Sequence, residues 1–237
     1  MRSAGARDSL GGVRRPFLCA SAAAAALAAC VARAPPPPAG ARCLATLDAR
    51  GVRWEPAAPG ASLAAGCAVD TPVRVSAAAV AWNQPGIVAC RFALTLESFT
   101  EGVVDPLALE IFGEPVRTIR HFGTYACRAT HAGRESLHAS GEAIDIAGFE
   151  LADGRVISVE RDWRRRDSRG AFLHAVARAA CRSFSVVLTP DSDADHFNHI
   201  HLDAGPYRLC GSSGAPPESR AAGGALAPAS ARDDHGE

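Results

Sequence analysis

Two short segments, far apart in the chain, alternate in the same way and constrain the fold more than any other feature. Gly141 to Leu151 sets Ala143, Asp145 and Ala147 against Ile144 and Ile146, and His199 to Asp203 sets His199, His201 and Asp203 against Ile200 and Leu202. Successive side chains of a strand point to opposite faces, so each segment shows polar groups on one side and aliphatic groups on the other. Both predict strands with one face in a core. If the two strands are neighbours, Asp145 and His201 converge on one point. His138 lies seven residues before Asp145, an odd offset that would put the pair on opposite faces of one straight strand. A turn near Ser140-Gly141 swings His138 back, and glycine is the residue that best tolerates such a turn.

The residue types gathered there point to metal chemistry. One histidine and one carboxylate come early, and His196-Phe197-Asn198-His199-Ile200-His201 adds a late cluster, so four of the eight histidines fall in two tight groups. A single histidine on a sheet face is ordinary; this inventory is that of a three-ligand zinc site with a fourth position left for water, the arrangement of catalytic zinc. No H-E-x-x-H helix motif is present, so a thermolysin-type protease is not supported.

The ends of the chain predict export. Arg2, Arg7, Arg14 and Arg15 precede an alanine-rich apolar run from Phe17 to Ala29, the order of an export signal and too short for a comfortable membrane span. Leu27-Ala28-Ala29-Cys30 reads as a lipobox, with Cys30 as the lipidated first residue of the mature chain. Arg14-Arg15-Pro16-Phe17-Leu18 matches the core of a twin-arginine signal in part, with Val13 where that pattern has Ser or Thr, so the export route stays open. Pro35 to Pro38 make residues 31–42 a stiff proline-rich linker that holds a domain off the membrane. Residues 212–237 have the Gly, Ala, Ser and Pro composition of a disordered tail. The domain between, residues 43–211, is expected at the cell envelope or in the periplasm, on a lipid anchor.

Formal net charge is zero and the domain carries no basic run, which argues against nucleic acid as a partner. Apart from Cys19 in the signal and Cys30, six cysteines remain: Cys43, Cys67, Cys90, Cys127, Cys181 and Cys210. An even number in an exported domain predicts disulfides, and the lack of any C-x-x-C pair argues against a thiolate zinc site. Their pairing is open.

Cys90 to Phe112 has helical periodicity, interrupted by Gly102 and Pro106, which are expected to break or kink it. Val116 to Phe122 alternates as a strand. Gly141 to Leu151 meets the turn signal Ala152-Asp153-Gly154 and returns through Val156 to Val159 as a hairpin. Arg169 to Phe184 is an amphipathic helix, and Ser185 to Leu188 and His199 to Asp203 are strands. Helices and strands mix without regular βαβ alternation, which predicts an α+β fold with a central antiparallel sheet flanked by helices.

Ser136 to Asp145 fits S-x-H-x-x-G-x-A-x-D and so resembles the signature of zinc D-Ala-D-Ala carboxypeptidases and related murein endopeptidases, whose fold and metal site hedgehog domains share. More closely, Cys43 to Cys210 resembles the bacterial extensin-like C-terminal domain family. The residues that carry this are Gly66-Cys67, Pro72-Val73, Tyr125-Ala126-Cys127-Arg128, Ile144 to Phe149, Leu151 to Gly154, Asp162-Trp163 and His199 to Asp203.

The resemblance implies Zn2+ held by His138, Asp145 and His201, with His196 and His199 completing an H-x-x-H-x-H motif and handling protons or transition-state charge beside the metal. It implies that Arg128 holds a substrate carbonyl or carboxylate, for which a guanidinium fork is suited, and that Ser136 orients the site. The activity implied is that of a metallopeptidase: zinc-dependent hydrolysis of amide bonds in peptidoglycan peptides. One position departs from the pattern. The carboxypeptidase branch has a glutamate base three residues before its last ligand histidine, and here Asn198 stands there. Two other readings therefore stay open: a non-catalytic zinc-containing envelope-binding module, and a disulfide-stabilised structural lipoprotein.

Overall fold

Alternation of buried and exposed residues organises residues 38–57, 67–127 and 136–210, those described by the computed structural model, into helices and a sheet of nine strands. Helix α1 (Ala39–Ala49) is followed by strands β1 (Arg53–Pro56), β2 (Pro72–Ala77) and β3 (Ala81–Ala89). Helix α2 (Cys90–Phe99) passes through a π-helical turn, Thr100–Val104, into α3 (Asp105–Phe112). Then come β4 (Val116–Gly123), β5 (Ala143–Leu151), β6 (Val156–Ser158), α4 (Val159–Asp162) and α5 (Ser168–Ala180). The chain continues through β7 (Val186–Leu188), a 3-10 turn at Ala194–His196, β8 (Ile200–Asp203) and β9 (Leu209–Cys210).

The strands lie in the order β1-β2-β3-β4-β5-β8-β7-β9. The long β5 pairs with β4 along one edge; its other edge takes β8 over its first half and β6 over its second. The fold is α+β, as expected, and the sheet is open. It is mainly antiparallel, but the β3–β4 and β7–β9 ladders are parallel. A parallel pair needs a long crossover, and α2 with α3 provides it between β3 and β4.

The helix from Cys90 to Phe112 is not broken at Gly102 or Pro106. Proline inside an α-helix clashes with the carbonyl four residues back. Here the π turn ends at Val104 and Pro106 falls in the first turn of α3, so the helical path continues. The expected linker is also corrected at its end. Residues from Ala39 onward are helical, because Cys43 and Leu47, one turn apart, both face the core. Strands β1 to β3 are absent from the sequence expectations, although Val73, Val75 and Ala77 alternate with exposed or half-buried neighbours.

One buried cluster joins the helices to the sheet. Phe172 of α5 meets Phe149 of β5 and Phe112 of α3 edge to face, each at 5.4 Å between centroids. Phe184 does the same with Phe92 and Phe99 of α2. Burying each such ring stabilises the fold by roughly 1.5–3 kcal/mol. All six expected cysteines pair, as Cys43–Cys90, Cys67–Cys127 and Cys181–Cys210. Each closes a loop of dozens of residues, a constraint that contributes about 2–4 kcal/mol. The export signal at 1–30 with Cys30, most of the linker, Arg128 and the tail at 212–237 lie outside the described residues.

Candidate metal centre

The β5–β8 ladder pairs Ile144 with Leu202, Asp145 with His201 and Ile146 with Ile200. Directly paired residues share a face, so the ladder sets Asp145 beside His201 and sends the aliphatic residues into the core. His138 reaches them from the turn before β5. The Gly141 and Glu142 N–H groups donate to the carbonyls of His138 and Leu137, at 3.2 and 2.9 Å. Gly141 sits in the left-handed region (φ 68), and a Cβ there would lie 2.9 Å from Ala89 N and from Val69 Cγ1. Its carbonyl accepts from Ala89 N at 2.9 Å. Only glycine fits that turn and that approach.

His138 Nε2, His201 Nδ1 and Asp145 Oδ1 converge. The separations are 3.2 Å (His138–Asp145), 3.3 Å (His138–His201) and 2.9 Å (His201–Asp145). Two imidazoles and a carboxylate at this spacing can hold a metal ion. Each imidazole is held by its other nitrogen. His138 Nδ1 lies 2.5 Å from the Thr124 carbonyl, which can only accept, so Nδ1 carries a proton and Nε2 is the nitrogen that can exchange its own proton for a metal. His201 Nε2 lies 3.3 Å from Asp203 Oδ2, which accepts a hydrogen bond from it and turns Nδ1 to the centre. Such supports fix the tautomer and orientation of metal-binding histidines. Asp203 is itself held by the Gly205 N–H at 3.0 Å.

Charge at the centre is strongly coupled. Burial opposes ionisation of Asp145, but hydrogen bonds from His138 and His201, and their positive charge, hold its carboxyl far below the usual carboxylate range. Burial likewise opposes the His201 imidazolium, and hydrogen bonds to Asp145 and Asp203 override it, pushing its pKa up to about 9. The metal-free centre is thus an ion pair, and a cation binding there displaces a proton.

His199 and His196 stand beside this group. His199 Nε2 is 3.4 Å from Asp145 Oδ1, and its Nδ1 is 2.9 Å from Asn198 Oδ1. Burial lowers its pKa, opposed by Asp145 and reinforced by the other three histidines, which keeps it neutral near pH 7. The His196 ring centroid lies 5.0 Å from that of His199 and 5.8 Å from that of His201. Its Nδ1 bonds Asp193 Oδ1 at 2.6 Å, and Asp193 also caps the 3-10 turn that carries it. Phe122, 55% exposed, packs edge-on against His199 at 6.1 Å.

All five sequence-nominated residues at the centre among the described residues are therefore together: His138, Asp145, His196, His199 and His201. Ser136 is nearby with a different contact. Its Oγ accepts from the His138 backbone N–H at 3.3 Å, so it touches the backbone of the turn. Thr124, Asp193 and Asp203 were not nominated. Asp203 follows His201 on the same strand face, which is a legible signal, and Asp193 has capping spacing to His196. The Thr124 contribution is a backbone carbonyl, which leaves no mark on residue identity.

No curated protein and no solved structure matches the chain. With six of its eight cysteines paired and four of its histidines gathered around Asp145, residues 41–211 match the family described as extensin-like protein C-terminus, and the chain belongs to that family.

Proposed function

We propose that this protein is a zinc-dependent hydrolase of amide bonds in peptidoglycan peptides, working at the cell envelope. The observation that supports it most is the anchoring of His138 and His201: each imidazole is held through its outer nitrogen by an acceptor and turns the other nitrogen to Asp145 Oδ1, so that the three ligand atoms form a near-equilateral triangle. The donor set suits zinc, since tetrahedral zinc with bonds of about 2.0–2.1 Å keeps its ligand atoms about 3.3 Å apart. Bound zinc supplies Lewis acidity and makes water nucleophilic near neutral pH.

His199 is the general base in this reading. It is neutral at pH 7, and its Nε2 faces the ligand group at 3.4 Å from Asp145 Oδ1. Asn198 cannot itself act as a base; its amide oxygen accepts a hydrogen bond from His199 Nδ1–H, which leaves Nε2 to take a proton. His196 stabilises charge from beside His199. Arg128 is a substrate-binding residue on the resemblance alone. The envelope location and lipid anchor rest on residues 1–30.

The full chain loaded with zinc should release soluble muropeptides from purified sacculi, and a His138→Ala control should not. Zinc bound with no cleavage of any bond type would reject the proposal. Asn198, in place of the expected carboxylate, favours a second reading: a non-catalytic zinc-containing envelope-binding module. Three disulfides are equally at home in a structural lipoprotein. A His199→Ala variant separates these readings from the first. Loss of cleavage with zinc retained supports the hydrolase; unchanged sacculus binding and no cleavage by either form supports a binding module.

A further inference from the structure

A cleft of about 220 Å³ opens beside the metal centre, lined by Arg120, Phe122, Ala147, Arg161 and Asn198 among others. It begins at the centre's own edge. Asn198 bonds His199, Phe122 packs on the His199 ring, and Ala147 follows Asp145 on the same face of β5. Two arginines line it as well. Arg120 is exposed on β4 and pairs with Gly148, which pairs in turn with Ser158 of β6. A Cβ at Gly148 would collide with the Ile157 carbonyl, so the strands close up at this row and the space above it stays open. Arg161 projects from the short α4, which is held because the Ser158 N–H donates to the buried Asp162 carboxylate at 2.9 Å.

Neither Arg120 nor Arg161 has an ion pair or side-chain hydrogen bond among the described residues, which they share with other surface arginines such as Arg91 and Arg178; what sets them apart is that both line one cleft. Glu160 lines the same cleft, which leaves it one net positive charge. Two guanidiniums with no partner in a cleft suit an oxyanion held by paired N–H donors, and on a peptide substrate that oxyanion is a carboxylate.

The geometry points to Arg120 and Arg161 as a subsite for a free carboxylate on the peptide substrate, set back from the reacting amide. The inference rests on the hydrolase reading of the centre and adds a specificity to it. The Asp145 and Gly148 rows are three residues apart on β5, about 10 Å at roughly 3.4 Å per residue. An extended peptide covers that span in about three residues. The subsite thus selects a peptide that carries a free carboxylate within a few residues of the cleaved bond.

The test uses muropeptides released from purified sacculi by a muramidase, in native form and after carbodiimide coupling to ammonia, which turns carboxylates into carboxamides. Binding to the zinc-loaded full chain is measured by calorimetry, with cleavage followed in parallel. Native muropeptides should bind at least about tenfold more tightly than amidated ones, and an R120Q/R161Q variant should lose that difference while keeping its zinc. Arg161→Gln alone, on an exposed turn, should lose part of it and guards against misfolding of the double variant. Equal binding of the two forms by the parent, binding of neither, or full discrimination by the double variant overturns the subsite. Discrimination without cleavage keeps the subsite and removes the hydrolase; cleavage without discrimination does the reverse.

Discussion

On the helix side of the β5–β8 pair, Ile144, Ile146, Ile200 and Leu202 are at most 1% exposed. On the other side of the same backbone, Asp145 and His201 reach solvent and carry coupled charge. The two faces differ in what they contribute. The aliphatic face holds the register, because a slip of one residue would turn every side chain of the strand to the wrong side. The polar face spends none of that packing energy and inherits its precision: the separations among His138, Asp145 and His201 follow from a register fixed behind them. A metal centre can therefore be complete before any metal arrives.

If the faces divide labour in this way, substitutions on each should fail differently. The largest effect is expected for His201→Ala, which removes one of the three side chains able to hold a metal and the partner of Asp145. Stoichiometric metal binding should disappear from equilibrium dialysis while the disulfide-bonded fold persists by circular dichroism. Retained metal at full occupancy would mean that the ion sits elsewhere.

Ile146→Ala tests the other face. A buried aliphatic side chain truncated to alanine loses about 2–5 kcal/mol, read from denaturant unfolding of the oxidised protein. Metal should still bind at one ion per chain, since no ligand is touched. The comparison is sharpened further by Asp203→Asn, which keeps the shape but weakens the hold on His201 Nε2. Metal affinity should fall about 10–100-fold with little change in the unfolding midpoint, measured by competition with a chromophoric chelator.

The smallest effect concerns pH. Burial lowers the pKa of His121, with hydrogen bonding to the Gln84 carbonyl opposing it. The folded chain then binds fewer protons there than the unfolded chain does between the lowered value and about 6.5. Its contribution is complete above about pH 6.5 and is lost as pH falls through the folded value. Thermal midpoints should decline below about pH 6.5, and His121→Asn should make that decline shallower; an unchanged slope would assign it to other histidines.

Much of the centre was legible because strand alternation is local. Asp145 with Ala147, and His201 with Asp203, declare a shared face within a few residues, and Gly141 marks the turn that returns His138. The Val73-Val75-Ala77 alternation is legible in the same way and belongs with these. Less visible were the continuity of the helix through Pro106, which depends on a π turn, and the parallel β3–β4 ladder, which depends on where the crossover lands.

By its sequence alone this protein determined which residues share a face, that its six domain cysteines would be oxidised, and which side chains offer metal-ligand chemistry. Those properties depend on neighbours a few positions away or on residue type. Only the tertiary structure decided which cysteine meets which, that the Thr124 carbonyl supports His138, and that Arg120 and Arg161 stand beside the same cleft. These join positions from 14 to 60 residues apart. Their meeting is set by packing of the whole sheet against its helices, and no local pattern records it.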